Sequence, residues 1–268
     1  MAGPPATSDS LVADLRRLGV RAGGVVMVHA SLRAVGPVEG GASGVVRALD
    51  AAVGEAGTLL MTIGARDAWS WVNERAESER AALLADAEPF DCLSTPADES
   101  VGVLAEVFRT TPGTRVSDHP EGRFGARGRL AAALTSDVPW DDYLGPGSPL
   151  ERLVDARGSV LRLGADTNTV TLIHYAEYLA DVPHGRRVRR HRRVLGPRGP
   201  ELRTVECLDD NHGIVAWPGE DYFSVILRDY LATHDAGHGR VGGAASELID
   251  ARSLVTFAAA WMTARFRA

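Results

Sequence analysis

The sequence predicts a mixed α/β fold, one sheet flanked by helices in a single domain of 268 residues, and three observations support it. Val25-Val-Met-Val-His-Ala30 and Gly57-Thr-Leu-Leu-Met-Thr-Ile63 are apolar, strand-sized runs separated by a glycine loop and a helix over Ala42 to Val53. Strand, loop, helix, strand is a βαβ unit, and the right-handed crossover places its strands parallel in one sheet. Ser159-Val-Leu-Arg-Leu163 then leads through Gly164 to Asn168 into a second strand-loop-helix unit ending near Ala180. No internal repeat or composition shift divides the chain, and its length suits one large domain.

Composition excludes several classes of function. Hydrophobic residues at 45% and charged residues at 24% belong to a soluble globular chain. Met1 to Ser10 has neither a basic start nor an apolar core, so a signal peptide and a membrane span are not expected. A cytoplasmic protein follows, with residues 1–9 flexible. The net charge of -6 argues against a nucleic-acid partner. Cys92 and Cys207 form neither a disulfide framework nor a metal pattern, and all 29 basic residues are arginine.

In chain order, Ser8 or Asp9 can cap a helix from Leu11 to Leu18, stopped by Gly19. The loop Ser31 to Gly41 carries three glycines, Ser31 and Arg33. It suits close approach to a phosphate-bearing ligand, although turn chemistry alone also accounts for it. Residues 67 to 99 hold nine carboxylates against Arg75 and Arg80, with Trp69 and Trp71 at their start. They form either a recognition surface for a cation or a solvated face. Ser100 to Arg109 is a helix. In Arg115-Val-Ser-Asp-His-Pro120 the proline holds His119 extended, so Ser117 or His119 can face a cleft or simply order a turn.

Short helices are expected at Leu130 to Leu134 and Leu150 to Val154. Arg186 to Leu195 and Glu201 to Leu208 form a hairpin whose first arm has six arginines, a phosphate-binding strip or an edge that exposes charge. Helices at Tyr222 to Thr233 and Ser253 to Phe266 close the chain. In the central stretch, Asn168 is the expected N-cap of a helix. Thr171, His174 and Tyr178 share one face, and Leu172, Ala176 and Leu179 pack inward. Glu177 lies one turn beyond His174. A His and a carboxylate beside a loop after a strand place a general base in a pocket, or else a half-buried histidine.

Several segments together resemble the aminoglycoside 3-N-acetyltransferase family, which is distinct in fold from the GNAT superfamily. They are Val28-His-Ala-Ser-Leu-Arg-Ala-Val-Gly-Pro-Val-Glu-Gly-Gly41, Gly57-Thr-Leu-Leu60, Arg115 to Pro120, Leu163-Gly-Ala-Asp166, Asn168 to Glu177, and Val182-Pro183. The resemblance implies acetyl transfer from acetyl-coenzyme A to the 3-amino group of a 2-deoxystreptamine ring, giving antibiotic resistance. Attack would be direct, in a ternary complex, with no metal. Ser31, Leu32, Arg33, Val35 and Gly36 look like the coenzyme A loop, and Ser117 and His119 like a lining of the cofactor cleft. His174 looks like the catalytic base, with Thr171 near the thioester and Glu177 in the catalytic set. Asp209 or Asp210 is the expected partner of the other imidazole nitrogen. Asp67, Trp69, Asp91, Asp166 and Asn168 are the expected substrate contacts.

His174 is expected past the first helical turn, where the helix dipole does little to its pKa. The partner implied is a cationic small molecule, and the chain a monomer or homodimer. Competing readings keep the fold with another amine acceptor, take His119, Asp166, His174 and Glu177 as metal ligands of a hydrolase, or make the protein a non-catalytic binder of cations.

Overall fold

The computed structural model describes residues 4–267. Helix α1 (Ser8–Leu18) is capped by Thr7, not by Ser8 or Asp9: Thr7 Oγ1 accepts from Ser10 N at 3.1 Å. Gly19 ends it at φ 114°, a left-handed conformation that costs glycine little. Ahead of α1, Ala6 bridges to Val38 and its N–H donates to the Pro37 carbonyl. Met1 to Gly3, expected to be flexible, lie outside the described residues.

Strands β1 (Val25–Ala30) and β2 (Thr58–Thr62) are parallel, with Val25 opposite Thr58. The crossover carries α2 (Leu32–Val35) and α3 (Gly41–Val53). What reads as one loop from Ser31 to Gly41 therefore contains a helical turn, capped by Ser31. The acidic segment contributes α4 (Glu77–Leu83). Gly102, at φ 86°, splits the helix expected from Ser100 into a 3-10 turn at Glu99–Val101 and α5 (Val103–Thr110).

Strands β3 (Arg115–Val116) and β4 (Phe124–Gly128) add antiparallel to the β2 side. Then come α6 (Ala131–Thr135), α7 (Pro149–Asp155) and β5 (Ser159–Leu163), which pairs parallel with the other edge of β1. Helix α8 (Leu172–Leu179) precedes a separate two-stranded sheet, β6 (Arg187–Gly196) and β7 (Gly199–Leu208). Helix α9 (Tyr222–Thr233) is followed by β8 (Gly237–Val241), β9 (Ala244–Asp250) and α10 (Ala251–Phe266). The main sheet runs β3-β4-β2-β1-β5-β9-β8.

Period-two geometry divides β1 between two cores. Val25 and Met27 face a core built with α7, α8, α9 and α10, and Val26 and Val28 face one built with α1, α3 and α5. Helices on both faces bury all but the last residue of β1 and of β2, which is why these two strands read as continuous apolar runs. The β6–β7 hairpin adds Val205 and Cys207 to the first of these cores and holds the acidic segment. Arg80 donates to the Arg189 carbonyl at 2.9 Å, Asn73 exchanges hydrogen bonds with the His191 backbone, and Phe90 bridges to Val194.

Candidate active site

The carboxyl ends of parallel strands are where an α/β sheet leaves a crevice, because the chain leaves the sheet there to either side. Here the loop after β1 and the loop after β5 meet. Ser31 N–H donates to the Leu163 carbonyl at 3.0 Å. Gly164, at φ 62°, turns the chain beside Ala34, whose Cβ would lie 2.5 Å from any Cβ at that position. Glycine is required by both conformation and space. The resulting cavity of about 580 Å³ is lined by His29, Ser31, Leu32, Arg33, Met61, Thr62, Val101 to Ala105, Asp166, Asn168, Thr171 and His174.

His174 is the third residue of α8, inside its first turn rather than past it, so the positive end of the helix dipole disfavours an imidazolium. Its Nδ1 and Glu177 Oε2 are 2.7 Å apart, and Glu177 is buried at 3% exposure. The Tyr222 hydroxyl donates to the other carboxylate oxygen, Oε1, and accepts from Ile214 N at 3.2 Å. The Phe223 ring lies edge-on at 4.6 Å from the imidazole. Burial acts to lower the His174 pKa, but the charge of Glu177 and its hydrogen bond outweigh it, and the net shift is upward from 6.5. With Nδ1 committed to Glu177, Nε2 is the nitrogen free to take a proton.

Glu177 is thus the carboxylate on the imidazole, not Asp209 or Asp210. Asp209 turns back on its own loop, accepting from the backbone N–H groups of Asn211 and His212 at 3.2 and 3.0 Å. Asp210 accepts from Arg190 Nη2 at 2.5 Å and from the Tyr143 hydroxyl. Burial would raise the Asp210 pKa, but Arg190 and then His174 outweigh it and hold the carboxyl low. Asp210 lines a second cavity of about 200 Å³, with His212, Trp217, Glu220, Asp221 and Tyr222. Asn168 and His174 line both cavities, so the imidazole stands between a strand-end chamber and an acidic one.

Other expected site residues lie elsewhere. Ser117 and His119 are fully buried and line neither cavity. Ser117 Oγ donates to the Gly122 carbonyl and accepts from Phe124 N, and His119 Nδ1 accepts from the N–H groups of Glu121 and Gly122. His119 Nε2 donates to the Trp140 carbonyl at 2.8 Å, and burial takes its pKa down to about 4. These contacts tie β3 to β4. His119→Ala is accordingly expected to cost about 2 kcal/mol of stability, from lost hydrogen bonds and a cavity. The two cavities should stay intact, so the effect should be on stability alone, as thermal melts and a comparison of ligand binding by the folded variant would check.

Ser31, Leu32 and Arg33 line the strand-end cavity, whereas Val35 is core and Gly36 caps α2 at φ 87°. Asp166 and Asn168 also line it, but Asn168 sits inside a 3-10 turn, Thr167–Thr169, and caps nothing; α8 follows Thr171 without a side-chain cap. Leu179 is 49% exposed rather than inward.

The acidic segment is neutralised in part, chiefly by arginines of β6. Asp67 pairs with Arg192, Glu77 with Arg189, Glu99 with Arg66, and Asp91 Oδ1 accepts from Leu93 N, Ser94 N and Ser94 Oγ. Asp67 and Trp69 line a different cavity of about 230 Å³, and Asp91 lines none of those described. The arginine strip is divided: Arg187 and Arg189 are exposed, as an edge that presents charge would be, and pair with Asp142 and Glu77, whereas Arg190 turns inward to Asp210 and Glu121, and Arg192 to Asp67 and Glu121.

Sequence reasoning missed Tyr222, Glu220, Asp221, Thr62 and Arg190. Asp221-Tyr222 is visible as a helix start, but no local signal links it to Glu177. Among the described residues no group of three or more His, Cys, Asp or Glu side chains is placed to hold a metal ion. No described helix is long and apolar enough to cross a membrane.

A family model for aminoglycoside 3-N-acetyltransferases matches residues 27–263. An aminoglycoside N(3)-acetyltransferase III of Serratia marcescens is 40% identical over 272 residues, covering 98% of this chain and 99% of its own. The solved structure of AAC-IIIb in binary complex with CoASH superposes with a TM-score of 0.92 at 38% identity, covering 98% of each chain. AAC-VIa bound to sisomicin gives 0.92 at 38% identity, covering 99% of this chain and 100% of that one.

Proposed function

The chain belongs to the aminoglycoside 3-N-acetyltransferase family, and from that premise we propose that it transfers acetyl from acetyl-coenzyme A to the 3-amino group of a 2-deoxystreptamine ring by direct attack in a ternary complex, with His174 as general base. The observation that carries this reading is the Tyr222–Glu177–His174 relay, set between two cavities with Nε2 free.

The strand-end cavity suits the acyl donor. Its walls are apolar at Val28, Ala30, Met61 and Leu104, with Ser31, Arg33, Thr62 and Thr171 as polar groups, which fits a long amphipathic thioester bearing phosphates. The acidic chamber, with Asp210, Glu220 and Asp221, suits a polycation. An aminoglycoside amine is largely protonated near neutral pH, and only the free amine attacks. Its nitrogen lone pair adds to the acyl carbon, the carbonyl π pair moves onto oxygen, and the return of that pair breaks the carbon–sulfur bond. His174 Nε2 takes the surplus amine proton and returns it to the departing thiolate, while Glu177 steadies the imidazolium. Tyr222 holds Glu177 in place.

Thiol release from acetyl-coenzyme A with a panel of 2-deoxystreptamine drugs, and location of the acetyl group in the product, test the activity. Release that depends on the drug, with acetyl on the 3-amino nitrogen, is expected. Coenzyme A binding without release for any drug would reject this acceptor class.

The relay also fixes a pH dependence. The base works only as neutral imidazole, so activity falls as pH drops through the His174 pKa, which Glu177 holds above 6.5. Glu177→Gln removes that charge and should move the acid limb of kcat/KM to lower pH. It should also lower the plateau about tenfold or more, because the imidazolium loses its counter-ion. A limb that does not move would contradict the pairing.

A further inference from the structure

One polar group of the strand-end cavity has no task in the transfer described above. His29, at the end of β1, lines that cavity with Thr62, Thr171 and His174 and is 8% exposed. Its Nε2 is enclosed and has no hydrogen-bond partner among the described residues. Burial pushes its pKa down to about 4, so the ring stays neutral where His174 works as a base. Of the two neutral tautomers, the one that buries a lone pair costs less than the one that buries an N–H without an acceptor. The proton therefore belongs on Nδ1, leaving the enclosed Nε2 as the unprotonated nitrogen.

We propose that His29 donates its Nδ1–H to the acyl carbonyl oxygen of the thioester bound in this cavity and stabilises the oxyanion that forms there when the amine attacks. This rests on the acetyl-transfer reading. As the new carbon–nitrogen bond forms, the carbonyl π pair moves onto oxygen; its return expels the thiolate. The amine proton travels by way of His174, and His29 keeps its own throughout. Thr171, whose hydroxyl is 3.2 Å from that of Thr62 in the same cavity, is placed to share the task. A neutral donor fixed before the reaction needs no reorganisation when charge develops, which makes such groups effective.

The test is a set of His29 variants assayed with acetyl-coenzyme A and an accepted aminoglycoside. His29→Phe, which keeps ring volume without a donor, and His29→Ala should each lower kcat about a hundredfold. The Michaelis constant for acetyl-coenzyme A should change by less than about threefold, the mark of an interaction made in the transition state. His29→Asn, whose amide nitrogen stands near the place of Nδ1, should recover most of the loss, and His29→Gln should not. The acid limb of kcat/KM should not move in any of them, since His29 does not titrate there.

His29→Phe with parental kcat, or a loss confined to the Michaelis constant, would overturn the assignment. Thermal melts and calorimetric coenzyme A binding establish that each variant is folded. If His29→Ala and His29→Phe fail to fold, the amide pair decides: Asn well above Gln supports the role, and equal kcat values reject it. His174→Ala is run alongside. Full activity there would remove the base reading itself, whereas a dead His174→Ala beside an unimpaired His29→Phe would remove only the role given to His29.

Discussion

His174→Ala is expected to lower kcat by about a thousandfold, within the range that a positioned general base supplies. Coenzyme A affinity should stay close to parental. The two effects separate because of where the imidazole sits. His174 is one residue on the border of a cavity whose other walls come from β1, β2, α5 and the loop after β5, so its removal leaves most donor contacts in place. The proton, by contrast, loses the acceptor that stands between the two cavities. Glu177 is turned away, with one oxygen on the imidazole and the other on Tyr222, and Asp210 is engaged by Arg190 and Tyr143. Pre-steady-state thiol release and coenzyme A calorimetry on the same preparation would measure both quantities. Retention of full turnover would dismiss His174 as the base.

Arg190→Met should give the largest loss of stability, about 3–5 kcal/mol, because it strips the counter-ion from a buried carboxylate. For a chain of this size that is roughly 10 °C in melting temperature. Arg190 is 7% exposed; it contacts Asp210 at 2.5 Å, the Tyr143 hydroxyl at 3.0 Å and Glu121 at 3.7 Å. Glu121 keeps Arg192 after the substitution, but Asp210 keeps only the Tyr143 hydroxyl.

The deficit should depend on pH, with a sign that follows from linkage. Even with Arg190 present, burial pushes Glu121 up to about 7. Without it, Asp210 and Glu121 both bind protons more tightly folded than unfolded, so the variant gains stability as pH falls. Melts at pH 5.5 and pH 8 should show the smaller deficit at the lower pH. Equal deficits at the two values would mean that the lost interaction was packing and not charge.

The parallel centre of the fold was legible because β1 and β2 are buried on both faces and are mostly apolar, and β5 keeps three buried apolar residues out of five. The helices at Tyr222 and near Ser253 were legible for a similar reason, having long apolar faces. The β8–β9 hairpin was not, because β8 is an exposed edge strand with two glycines among five residues, and only β9 carries an inward face. In the site, the motif around His174 is local and could be read. Its partners are a matter of tertiary geometry: Tyr222 is 45 residues from Glu177, and no local pattern joins them.

Asp209 and His119 illustrate the opposite error. Both are residue types suited to catalysis, and both are spent on nearby backbone N–H groups, a use that residue type alone does not reveal. The acidic segment looked unpaired because its arginines come from β6, far along the chain.

That last separation bears on how the protein is made. Asn73 meets His191 across 118 residues of sequence, and Ala85 meets Arg193 across 108. Contacts so distant in sequence pay their loop-closure entropy before anything rewards it. Residues 67–90 leave the ribosome well before the hairpin that fastens them, whereas residues 91–99 are held by Arg123 and Arg109, much nearer in the chain. In the finished protein the same dependence runs in reverse. A nick in the β6–β7 turn would loosen a surface about a hundred residues upstream, and amide exchange there should report on the hairpin, whose opening is the cheapest way to release it.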